Sequence, residues 1–241
     1  MTINPNQPLL KSFSVSDIAL SCPEALEVLN RYNLDYCCGG KLSFVEVCDD
    51  SGLDAESIWE ELQDSRAASS TESQIPFEAW DVQVLMDFIV QHHHGYVKSA
   101  IPRIHQLLDK VCEVHGTNVP ELFQIREGFE KLADELTSHL VKEEEELFPG
   151  IRELFTHRTE RYYKSDMGLQ ELTDVVEHEH DLAGNLLKSI RTLTNNYDAQ
   201  AVACPTFKAT YIQLSEFEKD LMKHIHLENN ILFMKVKTLY Q

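Results

Sequence analysis

The feature that most constrains the fold is a recurrence of apolar residues at alternating intervals of three and four along four long segments. These segments span residues 90–111, 122–143, 172–190 and 211–231. The spacing gives each helix one apolar face, and four such helices bury those faces most simply as an antiparallel four-helix bundle. Every face also carries at least one histidine, at a position where burial is expected. We therefore predict an all-α chain whose bundle core contains polar groups.

The charge balance limits the partners of the chain. It has 241 residues and a net charge of −19, from 40 acidic and 21 basic residues. Because nucleic acids and anionic membrane surfaces are bound by clusters of basic residues, we expect neither nucleic acid nor a membrane as a partner. No signal peptide or transmembrane stretch is visible, and six cysteines are few for a disulfide framework. These features predict a cytoplasmic protein.

A short polar stretch divides the chain. Residues 65–76, SRAASSTESQIP, are small, polar and without periodicity, as expected of a linker. We predict a small helical N-terminal domain over residues 1–64 and a four-helix bundle over residues 77–241. In the N-terminal part, Ser43 and Asp54 precede helical patterns and are predicted to cap those helices.

The polar positions on the apolar faces have the spacing expected of metal ligands. Two of the helices carry a histidine followed four residues later by a glutamate, which puts an imidazole and a carboxylate one turn apart on one face. The other two helices contribute one histidine each. The predicted ligands are His94, His139, Glu143, His180, His224 and Glu228.

These ligands are enough for two metal ions. Four imidazoles supply four bonds and two bridging carboxylates supply four more, against the roughly twelve that a pair of six-coordinate ions needs. An oxygen bridge between the ions adds two bonds and leaves two positions open. Nitrogen and oxygen donors without thiolate favour iron or manganese over a structural zinc. The alternative is a bundle whose histidines are satisfied core residues.

Other residues near these positions give weaker signals. Glu135 and Glu179 are each close in sequence to a predicted ligand, and either could orient a ligand histidine by a hydrogen bond without itself binding the metal. For both residues, a solvated carboxylate is an equal alternative. If the register of the first helix is off by one, His93 replaces His94. The remaining histidines are predicted to be surface residues: His92, His93, His105, His115, His157, His178 and His226.

The chain resembles a known family in these motifs. HHGYVKSAIP, SHLVKEEEELFP, EHEHDLAG and HIHLENNILF are similar to the four helix motifs of the iron–sulfur cluster repair di-iron proteins, the repair-of-iron-centres (RIC; ScdA/YtfE) family. The segment SVSDIALSCPEALEVLNRYNLDYCCGGK is similar to the small N-terminal domain of that family, whose hallmark is DYCCGG. The resemblance covers nearly the whole chain.

The resemblance implies a hemerythrin-like antiparallel four-helix bundle in which the six ligands named above hold two iron ions, a non-haem di-iron centre with a bridging oxygen. It implies repair of iron–sulfur clusters damaged by nitrosative or oxidative stress, by donation of iron from a labile centre and not by enzymatic turnover. Damaged iron–sulfur proteins are the expected clients, nitric oxide is an expected ligand, and a homodimer is expected to form through the N-terminal domain. A di-iron enzyme or sensor that binds or reduces nitric oxide, or handles nitrite or peroxide, is the alternative.

One position departs from the hemerythrins that carry oxygen. Those proteins have another histidine four residues after the ligand of the third helix, where this chain has Gly184. A missing ligand leaves an ion less saturated. We therefore expect a labile centre, suited to iron donation or to nitric oxide binding better than to oxygen carriage.

Two adjacent thiols, Cys37 and Cys38, lie in the motif DYCCGG. The glycines after them permit a tight turn, and a helix beginning near Ser43 is expected to lower the pKa of both thiols. We predict reactive thiols that accept iron, carry nitric oxide or form a disulfide with another chain; a structural turn with buried sulfurs is the alternative. Two thiols alone do not complete a four-ligand metal site. The other cysteines are predicted to be ordinary core or loop residues: Cys22, Cys48, Cys112 and Cys204.

Overall fold

The computed structural model describes residues 13–21, 25–38, 40, 42–68, 77–157, 168–200 and 202–239. Within these ranges the chain consists of helices and connecting turns, with one isolated bridge between Ser14 and Ser43. No helix among these residues combines the length and the apolar character needed to span a lipid bilayer. The chain divides into two compact units, one containing residues up to Trp80 with Ile225–Met234, the other Asp81–His224 with the residues from Lys235 onward. The predicted all-α class is confirmed.

Among the described residues, the N-terminal part of the first unit contains four helices around a small apolar core. Trp59 lies between Phe13 and Phe44, with ring centroids 5.7 and 6.1 Å from its own. The same core contains the fully buried side chains of Leu29 and Leu34. The helices are α1 (Val15–Ser21), α2 (Ala25–Arg31), α3 (Phe44–Asp50) and α4 (Ala55–Ala68).

The ends of α3 and α4 agree with the predicted caps in part. Asp54 accepts hydrogen bonds from a backbone N–H and from a serine hydroxyl in the first turn of α4. Ser43 occupies the N-terminal cap position of α3, but its side chain makes no capping bond. Because α4 continues through Ala68, the first residues of the predicted linker 65–76 are helical, whereas the rest of that linker, like Cys22, lies outside the described residues.

The turn after α2 contains the adjacent cysteines and is closed by backbone contacts with α1. The backbone N–H groups of Val15 and Ser16 donate to the carbonyls of Leu42 and Gly40, at 3.2 and 2.8 Å. A Cβ atom at Gly40 would lie only 2.6 Å from the carbonyl oxygen of Tyr36. The close approach of two backbone segments therefore requires glycine at this position.

Four long helices follow a short 3₁₀ turn at Phe77–Ala79. Three of them contain a π-helical turn, in which hydrogen bonds join residues five apart. Their bounds are α5 (Val82–Phe88, the π turn Ile89–His94 and Gly95–His115), α6 (Glu121–Lys142, the π turn Glu143–Leu147 and Phe148–His157), α7 (Leu169–Leu193) and α8 (Pro205–Leu227, the π turn Glu228–Leu232 and Phe233–Lys237).

Neighbouring helices of the bundle are antiparallel. Cys112, near the end of α5, donates to the carbonyl of Leu122, near the beginning of α6, at 3.3 Å. Lys98, near the beginning of Gly95–His115, forms an ion pair with Glu144, late in α6, at 2.7 Å. Paired contacts give the same relation elsewhere in the bundle. They join His139 to His180 and Lys142 to Glu179 between α6 and α7, Arg191 to Glu218 and Glu177 to Lys237 between α7 and α8, and His94 to His224 and His115 to Phe207 between α5 and α8. The predicted four-helix bundle is confirmed.

Candidate metal centre

The six predicted ligands are buried and lie close together. Their side chains belong to residues that are 0–4 % exposed, although imidazoles and carboxylates are costly to bury without compensation. Their potential ligand atoms form two groups, and within each group these atoms lie within 4.8 Å of one another. The first group is His94, Glu143, His224 and Glu228, and the second is His139, Glu143, His180 and Glu228.

The two groups share both glutamates and divide the histidines between them. Each group therefore offers two imidazole nitrogens, and Glu143 and Glu228 are available to both groups. A carboxylate has two oxygens and can bind one ion through each of them. The arrangement is that of two adjacent cation positions joined by two bridging carboxylates.

The imidazole pairs have the separation expected of two nitrogens on one ion. Nε2 of His94 lies 3.1 Å from Nε2 of His224, and Nε2 of His139 lies 3.1 Å from Nε2 of His180. Two nitrogens that each lie about 2.1 Å from an ion, at a right angle to one another, are about 3 Å apart. The nitrogen donors thus fit a metal in both groups.

Glu143 gives an independent test of fit. In the part of the chain that the structure describes, neither oxygen of this fully buried carboxylate accepts a hydrogen bond. The nearest imidazole contacts are those from Nε2 of His94 and Nε2 of His139, each 3.4 Å from Oε2. A buried carboxylate without hydrogen bonds is strongly destabilising unless a cation compensates its charge. The residues therefore fit a pair of metal ions.

The π turns coincide with predicted ligands. One ends at His94, and the other two begin at Glu143 and Glu228. A π turn widens the helix and rotates the following side chains, and such turns occur frequently at functional sites. The helix that carries His180 contains no π turn over Leu169–Leu193. The sequence analysis predicted continuous helices at these positions and did not predict the π turns.

Two further carboxylates form hydrogen bonds with the Nδ1 atoms of two predicted ligand histidines. Oε2 of Glu179 lies 2.8 Å from Nδ1 of His139, and Oε1 of Glu144 lies 2.7 Å from Nδ1 of His94. Because a carboxylate accepts at Nδ1, each ring keeps its proton there and directs its Nε2 lone pair into the site. Glu179 therefore bonds a histidine of another helix, while Glu135 is exposed. Glu144 was missed, because its relation to His94 depends on how two helices align.

Both outer carboxylates are held ionised by their neighbours. Burial raises the pKa of Glu179, but hydrogen bonds from His139 and Lys142 outweigh this effect and bring the pKa down to about 2. Burial also opposes ionisation of Glu144, and its bonds from Lys98 and His94 again lower the pKa. The two groups remain acceptors for the ligand histidines at every pH at which the protein is expected to work.

Two histidines predicted to lie on the surface are buried instead. Nδ1 of His93 lies 3.0 Å from Oδ1 of Asp220, and its ring stacks on the ring of His224 at 5.6 Å. His226 contacts Tyr36 edge to face in the first unit, with ring centroids 5.4 Å apart. The prediction was wrong at these positions because both helices have a second packed face. The other histidines are exposed at 92 and 178 and half-buried at 105 and 115, whereas the side chain of 157 lies outside the described residues.

The Cys37 thiol does not have the lowered pKa that the sequence predicted. The hydrogen bond with Cys38, burial and the nearby charge of Asp35 raise the pKa of the Cys37 thiol well above its usual value. The prediction was wrong for Cys37 because α3 begins only at Phe44, so that acidic neighbours act on this thiol more strongly than any helix terminus.

Cys204, predicted to be an ordinary residue, has the lowered pKa instead. It directly precedes Pro205, the first residue of α8, and is half-exposed. The backbone N–H of Phe207 and the side chain of His115 donate hydrogen bonds to its sulfur and lower the pKa to about 7. The helix terminus acts here as the rule for thiols predicts, but on a different cysteine.

We expect alkylation of Cys204 by iodoacetamide to accelerate through a midpoint near pH 7, because the thiolate is the reacting form. Cys48, whose pKa is raised to about 11 by burial and two aspartates, should react slowly over the same range. Mass spectrometry of the Cys204 peptide measures the rate. The variant His115→Gln should have a higher midpoint than the parent. A midpoint in the parent as high as that of free cysteine would contradict the lowered pKa of Cys204.

Comparison with known proteins identifies two domain models and several relatives that match this chain. Residues 85–236 match the hemerythrin HHE cation binding domain, and residues 11–66 match ScdA_N, a domain of unknown function (DUF542). A probable iron–sulfur cluster repair protein of Haemophilus influenzae is 33% identical over 222 residues, which cover 92% of this chain and 95% of that protein. The iron–sulfur cluster repair protein YtfE of Shigella boydii is 35% identical over 223 residues, covering 91% and 94%. ScdA of Staphylococcus haemolyticus, also an iron–sulfur cluster repair protein, is 29% identical over 221 residues, covering 92% and 96%.

These matches include every residue of the two ligand groups and the motif DYCCGG. They extend along nearly the whole chain and nearly the whole of each relative. The resemblance found in the sequence is thereby confirmed. The chain belongs to the ScdA/YtfE family of hemerythrin-like iron–sulfur cluster repair proteins.

Proposed function

We propose that this protein holds two iron ions in its bundle and repairs iron–sulfur clusters damaged by nitrosative or oxidative stress by giving up iron from that centre. The observation that carries the proposal is the pair of ligand groups that share Glu143 and Glu228. We infer the class of client, damaged iron–sulfur proteins, from the relatives, which are named iron–sulfur cluster repair proteins. The proposed ligands are His94, His139, Glu143, His180, His224 and Glu228.

The donor set supports iron as the metal. Imidazole nitrogens and carboxylate oxygens without thiolate suit iron and manganese, whereas thiolates favour zinc and clusters. When bound, the iron pair supplies exchangeable metal and open coordination positions for an oxygen bridge or nitric oxide. The chain contributes the fixed donors: Glu144 and Glu179 hold the protons of His94 and His139 at Nδ1, so that both Nε2 atoms stay available.

Incomplete protein ligation supports donation over permanent storage. Each group provides two imidazoles and one oxygen from each shared glutamate, fewer protein ligands than a six-coordinate ion accepts. The position one turn after His180 is Gly184, which supplies no donor. The net charge of −19 also raises the concentration of cations around the protein. The proposed setting is the bacterial cytoplasm, with the N-terminal domain as the proposed homodimer contact.

The proposal is tested by iron transfer to a cluster enzyme that has been inactivated with nitric oxide. Iron-loaded parent protein should restore its activity with sulfide and a reductant present, and the iron lost by the repair protein should match the iron gained by the enzyme. The variant Glu135→Ala, which alters an exposed carboxylate of α6, should act like the parent. His139→Ala together with His180→Ala removes both nitrogens of one group and should abolish most of the recovery.

Recovery no faster than that given by the same amount of free ferrous iron would refute the donor function. Sustained consumption of nitric oxide with an electron donor, without loss of iron from the protein, would instead establish a di-iron enzyme. The two functions thus differ in where the iron is at the end of the reaction.

A further inference from the structure

The loop after α2 brings three potential metal ligands together in the first unit. Sγ of Cys37 lies 3.5 Å from Sγ of Cys38 and 3.4 Å from Oδ1 of Asp35. One ligand atom from each of these residues lies within 4.8 Å of the other two. The same Asp35 oxygen accepts hydrogen bonds from the backbone N–H groups of Cys37 and Cys38, at 3.1 and 3.0 Å, so the loop is held in this form.

The separations match the corners of a tetrahedral site. With metal–sulfur distances of about 2.3 Å and metal–oxygen distances of about 2.1 Å, tetrahedral ligands are about 3.8 Å apart for two sulfurs and about 3.5 Å apart for sulfur and oxygen. The observed distances of 3.5 and 3.4 Å are close to these values. The two thiols alone do not complete such a site, and the third potential ligand, Asp35, is brought beside them only by the loop conformation.

A metal suits these thiols better than a disulfide between them. Neighbouring Cα atoms are about 3.8 Å apart across a trans peptide, below the roughly 4.4 Å minimum of ordinary disulfides. The peptide bonds of the described residues are all trans. The Asp35 carboxylate and the two thiols, which bind a metal as thiolates, lie at one point, so a divalent cation there would compensate their charge.

We propose that Asp35, Cys37 and Cys38 form a second metal site, distinct from the bundle centre, for a thiophilic divalent cation such as ferrous iron or zinc. The loop supplies three ligands, and a water molecule or a client thiolate takes the fourth position. Binding replaces the thiol protons with the metal, and these protons are released to solvent. Two of the three residues are only half-buried, which gives a partner access to the ion.

The location of the loop suggests a use for the site. The side-chain amide of Asn230 donates to the carbonyl of Tyr36 at 3.1 Å, and that of Asn229 donates to the carbonyl of Cys37 at 3.4 Å. These asparagines directly follow Glu228 in the sequence. If the proposed function holds, the loop receives iron on its way to a client; the binding of metal itself does not depend on that function.

Cobalt titration of the reduced full-length protein tests the site. Only thiolate ligands give cobalt an intense charge-transfer absorption in the near ultraviolet, so the imidazoles and carboxylates of the bundle do not contribute to it. We expect its final intensity to correspond to one thiolate-bound cobalt per chain, and we expect the absorption to disappear in Cys37→Ser with Cys38→Ser and to persist in Cys204→Ser. Asp35→Asn keeps an oxygen for the backbone hydrogen bonds but weakens the metal ligand, and should raise the dissociation constant at least about tenfold.

Absence of the absorption in the parent, or its persistence in the double serine variant, would overturn the proposal. If the double variant does not fold, the cobalt titration of Asp35→Asn tests the proposal by itself, because an unchanged affinity for cobalt in that variant would exclude the three-ligand site. The titration is repeated in His139→Ala with His180→Ala, whose changes lie in the bundle. A normal cobalt signal in that variant shows that the loop site stands even where the bundle holds no iron.

Discussion

Replacing Glu143 and Glu228 together by alanine should reduce the iron content from about two ions per chain to well under one. Both glutamates belong to both ligand groups, so the double variant removes every carboxylate from the site and leaves two imidazoles in each group. Neutral nitrogens alone neither compensate the charge of two divalent ions nor bridge them. Metal analysis of protein from iron-replete cells, before and after anaerobic reconstitution, measures the effect.

The fold should survive this change. Neither oxygen of Glu143 accepts a hydrogen bond in the described structure, so removing this side chain breaks no hydrogen bond of its own. For both glutamates, relief of the buried charge opposes the cost of the cavity. Metal-free parent and metal-free double variant should therefore unfold at similar denaturant concentrations. Full retention of iron in the variant would exclude the shared-carboxylate centre, whereas loss of iron together with loss of helicity would show that the pair of glutamates has a structural role.

The buried cluster of six predicted ligands could be anticipated from the sequence because burial and spacing point to the same residues. An apolar face of three-four period predicts which positions are buried, and a histidine or carboxylate on such a face needs a compensating partner. The i, i+4 relation then pairs His139 with Glu143 and His224 with Glu228 on single helices. The structure brings all six residues together. This reasoning needs only the period of each helix taken by itself.

The outer residues were beyond that reasoning because they depend on how helices align. Glu144 follows Glu143 in a run of acidic residues, and nothing in the run distinguishes it until α5 and α6 are set side by side. The contact between His93 and Asp220 could not be predicted for the same reason, because it depends on how α5 and α8 align. The π turns were not predicted either, since one extra residue in a turn is a small shift that an alternating three-four period accommodates.

The thiols show how one rule gives opposite results at different distances. A helix N-terminus lowers the pKa of a thiol only within about its first turn. Cys204 stands directly before α8 and has a pKa of about 7. Cys37 lies several residues before Phe44, and the hydrogen bond with Cys38, together with burial and the charge of Asp35, raises its pKa. The sequence indicated a helix after the glycines but not how far away it begins.

Replacing Gly184 by histidine should slow the release of iron from the proposed centre. Position 184 is one turn after His180 on α7, the same spacing that joins His139 to Glu143 and His224 to Glu228. An added imidazole would fill an open position of the second ligand group. We expect iron release to a chelator to slow at least about tenfold, the scale on which single changes around a metal site alter affinity. The iron content should stay at about two per chain, and cluster repair should slow in the same proportion.

The matched control is Gly184→Ala, which removes a helix-destabilising glycine worth about 1 kcal/mol without adding a ligand. Both variants should stabilise α7, but only the histidine variant should retain its iron against the chelator. Equal release rates in the two variants would show that position 184 does not reach the metal. Slower release with undiminished repair would separate iron donation from repair, because a donor that holds its iron more tightly must deliver it more slowly.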